Sequence, residues 1–233
     1  MADFPRYAIY YASPSGSALD RFGAELLGYD AWSGTDLPFP NDVLQSVSGW
    51  RELTEEPRRY GFHATLKAPF PLVDGKTEAE LPMACAEFAR TARPIPVIKP
   101  VVGSISGFIA VIPAEPSNEL LQLAADCVSA FDRLRAPLSP HDRARRKPDL
   151  LSPRQRDHLD RWGYPYVMDE FRFHMTLTGR LGAAEREPIL KMLQERLAKI
   201  GIERLAIDRI ALFRQDDAHS RFHVLQDWTL GAA

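Results

Sequence analysis

Residues 62–66 read Phe-His-Ala-Thr-Leu, and residues 173–177 read Phe-His-Met-Thr-Leu. Side chains alternate along a β-strand, so His63 and Thr65 share one side while Phe62, Ala64 and Leu66 take the other. The same alternation sets His174 and Thr176 against Phe173, Met175 and Leu177. Two strands that each offer an imidazole and a hydroxyl to one cleft make a symmetric acid–base pair. Taken alone, either phrase reads more often as a structural histidine in an apolar strand. Its recurrence before corresponding helices favours a functional pair, and a duplication that kept only packing is the bland alternative.

The surroundings of the two phrases repeat as well. Residues 6–12 read as a strand and 15–27 as a helix, with Ser-Pro-Ser before it and Gly28 after it. Residues 31–58 are rich in Pro, Gly, Ser and Asp and read as loop with at most one short helix. The first motif strand (61–67) is followed by a helix over 77–92 and strands over 96–104 and 107–113. After a further helix (116–134) and a short one (155–162) comes the second motif strand (170–178). It too is followed by a helix (183–200) and two strands (205–213 and 221–230). The two histidines are 111 residues apart, near half the chain. The pattern predicts an α+β fold with duplicated, bilobal architecture: two antiparallel sheets related by a pseudo-twofold around a central cleft, with helices outside. One bilobal domain (1–233) would then have halves at roughly 1–135 and 155–233, with exchange of strands between lobes compatible with the repeat. The joining segment 136–154 is basic and punctuated by proline, the kind of long loop that often carries function.

Composition bounds the partners. The chain has 233 residues, 45% hydrophobic and 26% charged, enough for a sizeable core. A net charge of −2 provides no global field for nucleic acid, so an anion site must be built locally. Cys85 and Cys127 lie in apolar, helix-like stretches and read as small buried hydrophobes of a reduced compartment. No apolar run reaches the ~18 residues of a membrane span. The opening Met-Ala-Asp-Phe-Pro-Arg-Tyr lacks the features of a secretory signal, so the cytoplasm is expected.

Neutral imidazole accepts a proton and imidazolium gives one near pH 7. With one histidine on each side of a phosphorus, one activates the attacking oxygen and the other protonates the departing alkoxide, while each Thr hydroxyl donates to a phosphoryl oxygen. Opening or closing of a cyclic phosphodiester suits this arrangement, and it calls for no metal and no cofactor. Strand parity adds Lys67 to the face of His63, and Arg172 and Thr178 to the face of His174; Tyr60 precedes the first motif. Arg143 represents the basic loop as a phosphate clamp, set against the plain reading of a solvated charge run. His141, His158 and His219 read as surface residues, and His223 as core or groove. No tight metal-ligand spacing is present. Gly103 and Gly107 read as turn formers, and Trp162, Tyr164 and Tyr166 as corner packing rather than a base-stacking platform.

At these residues the chain resembles the two-histidine (2H) phosphoesterase superfamily, which is defined by two His-x-Thr/Ser motifs in a duplicated fold. Three longer phrases are similar to the branch found in bacterial phosphonate-utilisation (C–P lyase) operons. They are Tyr60-Gly-Phe-His-Ala-Thr-Leu-Lys, Pro140-His-Asp-x-x-Arg-Arg, and Trp162-Gly-Tyr-Pro-Tyr-Val-Met followed by Phe171-Arg-Phe-His-Met-Thr-Leu-Thr. The resemblance implies a cytoplasmic, metal-independent phosphoesterase acting on a small phosphorylated substrate such as a ribose cyclic phosphate. In it His63 and His174 are the catalytic pair, and Thr65 and Thr176 hold the phosphate. An RNA 2′,3′-cyclic phosphodiesterase or RNA-end ligase is the second reading, disfavoured by the net charge. A non-catalytic binder of a phosphorylated metabolite is the third. Oligomeric state is not legible.

Overall fold

The computed structural model describes residues 4–91 and 93–231. Residue 92, where the helix from 77 was expected to end, lies outside them, as do residues 1–3 of the N-terminal stretch and residues 232–233 of the second half. The strands in chain order are β1 (Arg6–Tyr11), β2 (Tyr29–Asp30), β3 (Thr35–Asp36), β4 (Ala64–Phe70), β5 (Val97–Ile98), β6 (Pro100–Ile105), β7 (Phe108–Pro113), β8 (Met175–Thr176), β9 (Leu205–Ala206), β10 (Arg209–Gln215) and β11 (His223–Thr229). The helices are α1 (Ala18–Leu27), α2 (Asn41–Ser46), α3 (Trp50–Leu53), α4 (Glu55–Arg58), α5 (Glu80–Arg90), α6 (Asn118–Phe131), α7 (Pro140–Arg145), α8 (Pro153–Trp162) and α9 (Ala183–Ile200). Local chemistry sets several boundaries. Ser17 and Ser117 cap α1 and α6 by accepting from the backbone N–H of Asp20 and Leu120, and Ser152 forms a capping box with Gln155 on α8. The segment expected to be loop over 31–58 is tighter than its composition suggests, with three short helices after the β2–β3 pair.

Seven strands make one antiparallel sheet in the order β11-β10-β1-β4-β8-β7-β6. The two expected sheets are its halves, four strands and three, joined where Ala64 of β4 pairs with Met175 of β8. The hairpin after the first motif (β6–β7) bonds to β8, and the hairpin after the second (β10–β11) bonds to β1 beside β4. Each half is therefore completed by chain from the other.

The alternation of β1 sorts the two faces. Tyr7, Ile9 and Tyr11 enter the main core, where α5, α6 and α9 pack on β10, β4 and β6. Ala8, Tyr10 and Ala12 join Ala211, Phe213 and Phe222 in a smaller cluster on the opposite face. The motifs obey the same rule: Ala64 and Met175 are fully buried in the main core, which directs His63, Thr65, His174 and Thr176 away from it.

A bulge breaks the parity of β4 just past Thr65. Tyr10 lies opposite Thr65 but Ile9 lies opposite Lys67, so two residues of β4 answer one of β1. Leu66 and Lys67 consequently both point to the helical side. Lys67, expected beside His63, is instead 2% exposed, with its ammonium 2.7 Å from Asp132 Oδ1 and 3.2 Å from the Val128 carbonyl. Arg135 Nε also reaches Asp132 Oδ1, at 2.8 Å. Lys67 thus ties the bulged strand to the end of α6. Removing the ammonium leaves the partly exposed Asp132 with Arg135 alone, so the loss is smaller than for an isolated buried pair. Lys67→Ala should lower the unfolding free energy by about 2–3 kcal/mol in urea denaturation, and a loss below about 1 kcal/mol would contradict this placement.

Candidate active site

The face of the sheet away from the main core carries a cleft of about 440 Å³ that takes in His63, Thr65, His174 and Thr176 together. In an antiparallel pair the register is symmetric about each opposed pair. Carrying the Ala64–Met175 pairing one residue either way sets Thr65 across from His174 and Thr176 across from His63. Opposed Cβ atoms lie roughly 5 Å apart, so the four groups form a compact square on the cleft floor in which each imidazole neighbours the other motif's hydroxyl.

Both imidazoles are oriented in the same way. His63 Nδ1 is 2.9 Å from the Gly61 carbonyl and His174 Nδ1 is 2.7 Å from the Arg172 carbonyl. A carbonyl only accepts, so each Nδ1 carries the hydrogen and each Nε2 presents its lone pair. His63 Nε2 lies 3.3 Å from the Thr65 hydroxyl, which can donate to it. Gly61 makes the first bond feasible. Its φ of +73° is a left-handed backbone that favours glycine, and a Cβ there would lie 2.6 Å from that of Ala31. Phe62 is seated on α1 over Gly23, where a Cβ would stand 2.0 Å from the ring. Burial pushes His63 down to about 4, His174 adds to this, and the Gly61 bond opposes it. Burial also lowers His174, against its bond to Arg172.

The cleft is donor-rich. Arg6, Arg145, Arg146 and Arg180 line it, with Glu56 and Asp142 as the acidic members. Among the described residues, Arg6, Arg146 and Arg180 form no ion pair with a carboxylate. Arg6 is held by the Gln215 side chain, and Arg146 lies over the Tyr164 ring at 5.0 Å. Tyr10 and Tyr60 complete the wall on the His63 side, Tyr60 being stacked on Phe222 at 5.3 Å.

The other sequence-derived residues fall out unevenly. Tyr60 lines the cleft as expected. Thr178 also borders it, but its hydroxyl accepts from the Ile109 N–H and donates to the Gly179 carbonyl, which leaves it no free donor. Arg172 is exposed and contributes only its carbonyl to the site, because β8 spans just Met175–Thr176 and strand parity does not extend back to residue 172. Arg143 is turned away from the cleft and held by Asp160, at 2.7 Å and 3.1 Å. The same loop instead sends in Arg145 and Arg146, since residues 140–145 are helical and successive side chains diverge. Tyr164, read as corner packing, is in the wall. Arg6 and Tyr10 were missed although a signal existed: they share a parity on β1, the strand next to the first motif.

A family model described as a protein of unknown function (DUF1045) matches residues 65–223. A protein of Janthinobacterium sp. (strain Marseille) named ribose 1,5-bisphosphate phosphokinase PhnN is 35% identical over 221 residues, which cover 91% of this chain and 48% of that protein. Its namesake in Laribacter hongkongensis (strain HLHK9) is 31% identical over 224 residues, 94% of this chain and 50% of that protein. The chain spans about half the length of these curated relatives. Solved structures of E. coli LigT are also similar: the complex with 3′-AMP at 16% identity and TM-score 0.47, and the phosphate complex at 14% and 0.42, covering 98% and 99% of this chain and 100% of each structure. The chain belongs to the family described as a protein of unknown function (DUF1045).

Proposed function

We propose that this protein is a metal-independent phosphoesterase that opens a cyclic phosphodiester on a small ribose phosphate, in bacterial phosphonate metabolism, by acid–base catalysis between His63 and His174. The observation that carries the reading is the convergence of both His-Thr pairs on one cleft with Arg6, Arg146 and Arg180, which among the described residues form no ion pair with a carboxylate. The cleft volume of about 440 Å³ suits a small metabolite rather than a polymer. The name of the half-matching relatives, which concerns a ribose bisphosphate, and the operon resemblance of the longer phrases support a ribose phosphate as ligand.

The residues divide the work as follows. The phosphate sits over the square of two imidazoles and two hydroxyls. The hydroxyls of Thr65 and Thr176 donate to its non-bridging oxygens, and the cleft arginines offset its charge. One Nε2 lone pair takes the proton of water as its oxygen bonds to phosphorus. The other imidazole, protonated at Nε2, hands its proton to the ribose oxygen as the P–O bond breaks. The sum is addition of one water and one ring opening.

Single variants His63→Ala and His174→Ala should each reduce kcat by at least ~10³-fold with the fold intact, and chelators should leave activity unchanged. Retained turnover in either variant would remove the mechanism. A small ribose cyclic phosphate should be hydrolysed with a much higher kcat/KM than an oligonucleotide ending in a 2′,3′-cyclic phosphate; the opposite preference would favour the RNA reading.

The pH dependence follows from the lowered histidines. The acid must be protonated, and burial holds both groups below the ordinary histidine value. The fraction carrying that proton therefore shrinks as pH rises, and kcat/KM for the free enzyme should fall about tenfold per pH unit above about 6.5. A rate that rises from pH 6.5 to 8 would contradict the assignment. Folding stability has its own sign: groups depressed on folding stabilise the protein above their unfolded value of about 6.5. That contribution should fade as pH drops from there toward about 4, where His63 charges in the folded state.

A further inference from the structure

The two motifs are equivalent in sequence but not in surroundings. On β1, Tyr10 is the residue opposite Thr65; on β7, the residue opposite Thr176 is Ala110. The duplicated sheet thus sets a tyrosine beneath one imidazole and an alanine beneath the other. The Tyr10 ring stacks on His63 with centroids 3.8 Å apart and planes 24° apart. It is wedged in turn by Phe213 at 4.9 Å and Phe222 at 6.2 Å, and is itself 1% exposed. Among the described residues, the one aromatic ring beside His174 is Phe108, 5.5 Å away and tilted by 55°.

We propose that Tyr10 breaks the symmetry of the pair: its ring clamps His63 as the proton acceptor, and His174, which has no such platform, is the proton donor to the leaving oxygen. The inference rests on the phosphoesterase reading and deepens it. Face-to-face stacking on a wedged ring fixes the His63 plane, so its Nε2 lone pair stays aimed at the attacking oxygen through the reaction. Stacking also strips water from the imidazole, which penalises the cationic form and keeps the base unprotonated. His174 is looser, which suits a group that must reload a proton after each turnover. In the step, water's oxygen bonds to phosphorus while its proton passes to His63 Nε2. The ester P–O bond breaks as its oxygen takes the proton from His174 Nε2, and the proton left on His63 returns the pair to its starting state through solvent. Tyr10 is a positioning residue and touches no reacting atom in this scheme.

The charged and titratable groups that line the cleft with His63 come from every side: Arg6 and Tyr10 on β1, Glu56 on α4, Tyr60 before β4, Asp142, Arg145 and Arg146 at α7, Tyr164 after α8, His174 before β8 and Arg180 after it. None of these changes in the tests below except the residue substituted.

Two esters separate acid from base. One is a ribose cyclic phosphate, whose leaving alkoxide needs a proton; the other is an acyclic 4-nitrophenyl ribose phosphodiester, whose phenolate leaves without one. His174→Ala should lose activity on the first and recover at least ~100-fold on the second relative to that loss, while His63→Ala stays inactive on both. Rescue of His63→Ala instead, or of neither, overturns the assignment and leaves the phosphoesterase reading standing. A wild-type protein that turns over neither ester removes both. For Tyr10 itself, Tyr10→Phe keeps the ring and should hold kcat within about threefold of wild type. Tyr10→Ala reproduces the Ala110 side and should cut kcat more than tenfold with KM nearly unchanged. An NMR titration should then show His63 moving up toward His174, whereas in wild type and Tyr10→Phe it titrates below it. Wild-type kcat and titration in a folded Tyr10→Ala protein, or a His63 that titrates above His174 in wild type, would refute the clamp. If Tyr10→Ala does not fold, the two-ester comparison and the wild-type titration still decide the matter.

Discussion

The single pairing of Ala64 with Met175 is the contact on which the molecule depends. It joins two half-sheets into one, and it does so between the two residues that sit inside the repeated motifs. Both are fully buried against the helical layer, so the hydrophobic demand of the core fixes which way the neighbouring His and Thr side chains point. A slip of one residue on either strand would bury the imidazoles and expose the apolar set. Core formation and assembly of the cleft are therefore one event. The exchanged hairpins reinforce it, since β8 is held on its far side by β7 and β4 is backed by β1 and β10. With only two residues in β8, the second motif relies on that support more than the first.

Electrostatics then works on a platform the core has already built. The overall charge is −2, yet the cleft collects arginines from β1, from the end of α7 and from the segment after β8. Local concentration of donors, not net charge, is what makes an anion site, and an enclosed wall makes each donor count for more than it would in water. The histidines are disposed with their Nδ1 hydrogens committed to backbone carbonyls, which leaves the Nε2 atoms with the lone pairs. No helix of the described residues is long and apolar enough to cross a membrane.

Much of this was legible in the sequence because period-2 alternation is a strong signal where one face is buried. The repeat, the α+β class, the helix over 183–200 and the burial of Cys85 and Cys127 all followed from it or from apolar spacing. The failures have local causes. Simple alternation puts Lys67 in the cleft, but a bulge, which inserts a residue without any mark in composition, turns it to Asp132. Arg172 precedes the two-residue strand β8, so strand alternation does not reach it. Arg143 belongs to a cluster in which helical geometry brings its neighbours Arg145 and Arg146 to the cleft instead, and the Asp160 partner that holds it comes from α8. Tyr164 enters the site through tertiary packing between segments far apart in the chain, which no local window reports, whereas the shared parity of Arg6 and Tyr10 on β1 is carried by the sequence itself. The asymmetry between the motifs was equally hidden, because the words Phe-His-x-Thr-Leu are nearly the same and the difference lies across the sheet, in Tyr10 and Ala110.

The central claim is that two imidazoles from opposite halves of the chain face one phosphorus. Titration of the wild-type protein with inorganic phosphate, followed through the Nε2 resonances of both histidines, addresses it most directly. A single bound anion predicts that His63 and His174 respond together along one binding curve with one Kd. A response at only one of them, or two curves with separate constants, would mean that they serve different pockets and would contradict the account.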